Sequence, residues 1–83
     1  MFTILFTQKG EKDLEKLPSY IQQRIIHKLQ DYSASENPLS FAKPLINLPP
    51  TTHRFRVGKY RISFFIEGRT IFVERVQLRK EAY

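Results

Sequence analysis

Apolar and polar residues alternate along several stretches of this chain and follow a three-and-four spacing along one. Phe2, Ile4 and Phe6 alternate with Thr3, Leu5 and Thr7, which predicts a first strand whose second face is also partly covered. Gln8 to Gly10 reads as a break. From Glu11 the period changes: Leu14, Leu17, Ile21, Ile25, Leu29 and Tyr32 form a helical stripe, with Glu11, Asp13 and Glu15 near its N-terminal end. Pro18 is tolerated in a first turn but not in a helix interior. The stripe therefore predicts a short helix ending near Leu17 and a longer one from Pro18 to about Tyr32, folded as a helical hairpin. Residues 33–52 hold Pro38, Pro44, Pro49 and Pro50 and are irregular. Leu39, Phe41, Leu45, Ile46 and Leu48 pin this segment to the domain edge, with one helical turn near Ser40.

The stretch HRFRVGKYRISFF, residues 53–65, predicts a β-hairpin turning near Gly58. Glu67-Gly68-Arg69 is a second turn, and the β-branched run from Thr70 to Val76 completes a three-stranded antiparallel meander. Too little chain follows Leu78 for a full helix. The expected fold is α+β, in the order β-α-α-β-β-β. A small, antiparallel-rich, twisted sheet carries the helical hairpin on one face, and residues 1–83 form a single domain.

Charge changes the picture. Residues 1–41 hold five Lys/Arg and five Asp/Glu, whereas residues 42–83 hold nine against three and so carry the whole formal charge of +6. A basic half on a neutral half predicts one face built to meet phosphate or an acidic partner. The hairpin alternation would project Arg54, Arg56 and Arg61 from one side of the sheet. Like charges gathered in this way repel one another and do nothing obvious for folding. Lys43, His53, Lys59 and Lys80 are further candidates for phosphate or RNA contact. Lys43 falls either near the basic face or in solvent. Arg69 and Arg75 read as ordinary surface.

Other chemistries find little support. There is no cysteine, hence no disulfide framework and no thiolate zinc site. No metal, nucleotide or nucleophile motif is present, so no metal and no cofactor is expected. His27 lies one position past the apolar stripe, on helix surface. His53 opens the basic strand, where proton transfer or base stacking is open to it. The opening residues lack the basic segment of a signal peptide, and no apolar run approaches the roughly 18 residues that span a bilayer. A soluble, cytoplasmic protein without membrane contact is expected. A metal-independent ribonuclease needs no protein nucleophile, because RNA supplies its own 2′-hydroxyl. The protein must hold the phosphate in line, supply positive charge at the developing oxygens and provide routes for two protons. Arg54, Arg56, Arg61 and Arg79 suit the clamp, since guanidinium presents a rigid fork of donors. Tyr83 suits base stacking.

The chain resembles the RelE/ParE superfamily of type II toxins. The resemblance lies in Phe6 to Pro18 with Leu14, Lys16 and Leu17, in KPL from Lys43, in HRFRVGKYRISFFI from His53, and in VQLRKEAY from Val76 to Tyr83. It implies a β-α-α-β-β-β fold and a cognate antitoxin that masks the basic surface. It also implies one of two activities: cleavage of the mRNA codon in the A site of a 70S-type ribosome, releasing a 2′,3′-cyclic phosphate, or inhibition of DNA gyrase. By that resemblance Arg54 and Arg61 stabilise the phosphate, Arg79 assists the leaving oxygen and Tyr83 orients or stacks the base. Arg56 stands where a base-like lysine usually stands. A guanidinium does not release its proton near neutrality, so the 2′-hydroxyl proton would leave to solvent or to a ribosomal group. A toxin that only binds its antitoxin is the remaining alternative.

Overall fold

The alternating runs become strands in a computed structural model that describes residues 1–79. In chain order they are β1 (Thr3–Phe6), α1 (Gln8–Glu15), α2 (Ser19–Ala34), a 3-10 turn (Pro38–Phe41), β2 (Ala42–Pro44), β3 (His53–Val57), β4 (Tyr60–Glu67) and β5 (Thr70–Leu78). The five strands form one sheet in the order β1-β5-β4-β3-β2, with β1 parallel to β5 and the other pairs antiparallel. A parallel neighbour cannot be reached by a tight turn, and here the chain passes through both helices before returning to the sheet at its far edge. Leu14, Ile25 and Leu29 pack on Phe55, Val57, Ile62, Phe64, Ile71, Val73 and Val76, so both helices lie on one face. The other face is left for the arginines.

Both hairpins close through two-residue loops, Gly58-Lys59 and Gly68-Arg69, with each glycine at a φ of 59°. Glycine in the first loop position is the type II′ arrangement, whose twist matches that of the flanking strands.

Three features differ from the expectation. Gln8 to Gly10 is helical rather than a break. Thr7 caps α1 by accepting from the Gly10 amide at 3.2 Å, while the Thr7 amide and hydroxyl both donate to the Val73 carbonyl, at 2.9 and 3.2 Å. The sheet also has a fifth strand, β2, inside the segment read as irregular. Three residues that include a proline carry no alternation long enough to recognise, and they become a strand only because β3 supplies hydrogen-bonding partners. The 3-10 turn around Ser40 is where a helical turn was expected. Finally, β5 changes register against β4 between Ser63 and Phe64, leaving Glu74 as the extra residue. This bulge lets Val73 and Val76, three positions apart, both enter the core.

Where β1 ends, α1 takes over the open edge of β5. Asp13 Oδ2 accepts from the Val76 amide at 3.0 Å and from Arg75 Nε at 2.8 Å. A carboxylate thus replaces a missing strand. Asp13→Ala is expected to cost about 1–3 kcal/mol, because the Val76 amide loses its partner beside the core. Chemical denaturation would measure this, and Asp13→Asn, which keeps one acceptor oxygen, should recover part of the loss.

Candidate functional site

Four strands converge on one cationic patch, and the inward anchoring of the hydrophobic residues aims it. Phe55 and Val57 are buried against the helices, so Arg54 and Arg56 between them must face the other way. On β4 the buried pair Ile62 and Phe64 sets Arg61 and Ser63 outward by the same rule. Register then does the assembly. Arg56 is directly opposite Arg61, Arg54 is opposite Ser63 and diagonal to Arg61, and Lys43 is opposite Arg54. Arg61 also faces Gln77 on β5. Arg79 follows two residues later, held by its amide donating to the Lys59 carbonyl at 2.9 Å.

Phe41, Lys43, Arg54, Arg56, Arg61 and Arg79 line a pocket of about 110 Å³. That is well below the roughly 300 Å³ at which ligand pockets usually begin, and suits one charged group rather than a whole ligand. Among the described residues that line it there is no carboxylate. Arg61 is half-buried at its centre. Burial lowers its guanidinium pKa from the ordinary arginine value, and the charges of Arg54, Arg79 and Arg56 lower it further. The folded state therefore disfavours the cationic form. That cost would be relieved only as pH rose through the lowered pKa. Arginine stays charged at working pH, so anions rather than pH are the practical means of relief.

Sulfate or inorganic phosphate is accordingly expected to raise the Tm above that in chloride of equal ionic strength, on the order of 5 °C at saturating anion. The increment should shrink in Arg56→Gln. An equal increment in that variant would mean that the patch does not hold the anion.

The sheet behind the patch is stiffened by stacked rings. Tyr32 stacks between Phe41 and Phe55 at centroid distances of 4.9 and 4.7 Å, and Phe55 stacks on Phe64 at 4.3 Å. The Tyr32 hydroxyl donates to the Arg56 carbonyl at 3.4 Å. Aromatic packing on the core side thereby supports the strand that presents Arg54 and Arg56.

The structure sorts the residues singled out from sequence. Arg54, Arg56, Arg61, Arg79 and Lys43 come together, which settles Lys43 on the basic face. Lys59 lies at the hairpin tip, beside Arg56 and Arg79. His53 is a correction: it shares the parity of Phe55 and Val57, so it faces the helix side. Its ring stacks on Phe64 at 5.9 Å and its Nδ1 is 3.0 Å from the Thr52 hydroxyl. Lys80 and Tyr83 lie outside the described residues. Arg75 is engaged by Asp13, and Arg69 packs over the Phe2 ring at 5.3 Å. Sequence reasoning passed over Ser63, Glu74 and Gln77, which share the arginine face. For Ser63 the parity of β4 was a sufficient signal, whereas the bulge that resets β5 hides the other two. Among the described residues no group of three His, Cys, Asp or Glu could hold a metal ion, and no helix is long and apolar enough to cross a membrane.

Residues 4–83 match the family described as the ParE toxin of the type II toxin–antitoxin system, parDE. Toxin RelE3 of Methanocaldococcus jannaschii is 37% identical over an alignment that covers 96% of this chain and 93% of the relative. Among solved structures, the RelBE2 toxin–antitoxin complex of Mycobacterium tuberculosis contains a chain 31% identical, with a TM-score of 0.75, covering 94% of this chain and 98% of that one. The RelB–RelE complex of Methanococcus jannaschii contains one 35% identical, with a TM-score of 0.68, covering 95% and 94%.

Proposed function

The chain belongs to the ParE toxin family within the RelE/ParE superfamily, and is thus a toxin of a type II toxin–antitoxin system, and from that premise we propose that it is a ribosome-dependent mRNA endonuclease. The observation that carries this reading is the convergence of Arg54, Arg56, Arg61 and Arg79 on a pocket sized for one charged group. The RelE names of the relatives at 31–37% identity favour it as well.

In this mechanism the scissile phosphate enters the arginine pocket while the ribosome holds the codon extended. The RNA 2′-oxygen attacks phosphorus and the bond to the 5′-oxygen of the next nucleotide breaks. A 2′,3′-cyclic phosphate and a free 5′-hydroxyl result. Arg61 and Arg54 face the non-bridging oxygens, where negative charge grows. Arg79 lies beside the leaving oxygen. Arg56 aids by charge and hydrogen bonding, because a guanidinium carries donors only and cannot serve as a neutral base. The 2′-hydroxyl proton leaves to solvent or to a ribosomal group, and a second proton reaches the leaving oxygen. Tyr83 stacks on a base and Lys43, Lys59 and Lys80 guide the backbone. The site of action is the cytoplasm, on 70S-type ribosomes.

The two similar solved complexes pair a RelE-type toxin with an antitoxin. By extension, this chain is held by a cognate antitoxin that covers the arginine face with an acidic segment. Ribosome pelleting with toxin alone and with the complex checks this: only free toxin should co-sediment.

The deciding experiment maps 5′ ends by primer extension after adding the purified chain to ribosomes programmed with a defined mRNA, with naked mRNA as control. Cuts that appear only on ribosomes support the reading. An intact message alongside growth arrest would sink it and favour the gyrase-directed alternative, which the arginine at the base-like position and the ParE family match also favour. Loss of DNA supercoiling by purified gyrase would identify that outcome. An intact message without arrest would leave a protein that only binds its antitoxin.

A further inference from the structure

A second cleft, of about 300 Å³, shares Arg54 and Arg61 with the arginine pocket and reaches Lys9 of α1. One wall is the 45–51 loop, which is folded by its own hydrogen bonds. The Leu45 amide donates to the Thr52 carbonyl at 2.8 Å, and the Thr51 amide and hydroxyl donate to the Leu48 carbonyl at 3.0 and 2.5 Å. The Thr52 amide donates to the Phe64 carbonyl at 2.9 Å, tying the loop to the sheet. Leu45, Leu48, Pro49 and Pro50 make this wall apolar. The rest of the lining is polar: Ser63, Gln77 and Glu74, the last being the extra residue of the β5 bulge, together with the cations Lys9, Arg54, Arg61 and Arg75.

The apolar wall with Ser63 and Gln77 fits a nucleobase, while the shared Arg54 and Arg61 are placed to take its phosphate. A flat base covers apolar side chains with its π face and needs donors and acceptors only along its edge. Ser63 and Gln77 provide both kinds of group. Glu74 lines the cleft together with Lys9 and Arg75, and Arg75 is engaged by Asp13. A carboxylate repels phosphate but accepts from an amino group. Adenine, cytosine and guanine carry an exocyclic amino group, at C6, C4 and C2 respectively, whereas uracil carries only carbonyls and has none.

We propose that this cleft holds the base of the nucleotide adjoining the phosphate bound by Arg54 and Arg61, and that Glu74 selects bases bearing an exocyclic amino group. The inference rests on the RNA-cleavage reading and deepens it by adding a specificity determinant beside the phosphate clamp. Arginines shared between the two pockets set the spacing: a phosphate in one leaves its attached nucleotide only a short reach to the other.

The test is a nuclear magnetic resonance titration of the ¹⁵N-labelled full chain with inorganic phosphate and with the 3′-monophosphates of adenosine, cytidine, guanosine and uridine. Phosphate should move the Arg54 and Arg61 amide signals. The adenosine, cytidine and guanosine nucleotides should also move those of Leu48, Ser63, Glu74 and Gln77. Uridine should bind at least about fivefold more weakly by the cleft signals, and Glu74→Gln, whose amide both donates and accepts, should narrow that gap to about twofold. Nucleotides that move only the signals phosphate moves, uridine binding as well as the others, or no response to any ligand would each overturn the proposal. The primer-extension experiment separates the two readings. Ribosomal cuts without cleft shifts remove the base subsite and leave the nuclease. Selective cleft shifts without cuts keep the subsite and remove the nuclease.

Discussion

Arg61→Gln is expected to reduce cleavage of ribosome-held mRNA by about 100- to 1,000-fold, the usual effect of deleting one donor at a developing oxyanion. The same change should leave the Tm within a few degrees of the parent protein's. The two effects have one cause. Arg61 is directly opposite Arg56 and diagonal to Arg54, is half-buried, and has its cationic form disfavoured by burial and by the charges of Arg54, Arg79 and Arg56. What repels within the free protein is what a transition-state phosphate would find already in place. Strain of this kind, retained at a site, is expected where function rather than folding selects the residue. Antitoxin binding should be mostly intact. Growth arrest and thermal unfolding, measured on the same purified variant, check both halves. Unchanged arrest would remove Arg61 from the chemistry, and a large fall in Tm would show that it serves the fold.

Gly10→Ala is expected to have the largest effect on stability, a loss of about 2–3 kcal/mol. A β-carbon there would clash with the Val73 carbonyl oxygen and stand 3.0 Å from its carbon, both backbone atoms that cannot rotate away. The first turn of α1 must then lift off β5. Thr7 donates to that same carbonyl, and one turn later Asp13 accepts from the Val76 amide, so both contacts loosen together. Alanine's better helix propensity returns about 1 kcal/mol at most. The net loss corresponds to roughly 10–15 °C in Tm for a domain of this size. Gly68→Ala is the comparison. Nothing lies within 4 Å of a β-carbon there, and only the positive φ of 59° opposes it. A loss of about 1 kcal/mol is expected. Thermal melts of the two variants would separate close packing from backbone strain. Equal losses would mean that the α1–β5 contact yields easily.

Gly10 also shows where sequence reading stops. Beside Gln8 and Lys9 it resembles a break, because nothing local distinguishes a glycine that loosens the chain from one that lets two backbones touch. Only the arrival of β5, more than sixty residues away in the chain, gives it meaning. The same holds for β2, whose three residues become a strand only when β3 lies alongside. The side on which His53 lies was likewise set by its neighbours in the sheet. It opens the basic strand, and parity with Phe55 and Val57 turns its ring towards Phe64.

What the sequence by itself determined is the type and order of the longer elements and the face on which the arginines lie. Periods of two and three-to-four residues are imposed by local backbone geometry, and Phe55, Val57, Ile62 and Phe64 seek the core wherever the sheet is placed. Two glycine turns then set the meander. What only the tertiary structure decided is which cations meet, because cross-strand register depends on pairing and not on local preference. It put Arg56 opposite Arg61, Lys43 opposite Arg54, and used the bulge at Glu74 to carry a carboxylate to the edge of the arginine face. A one-residue slip would have turned each strand over, and no local signal in those strands forbids it as firmly as the shared core does.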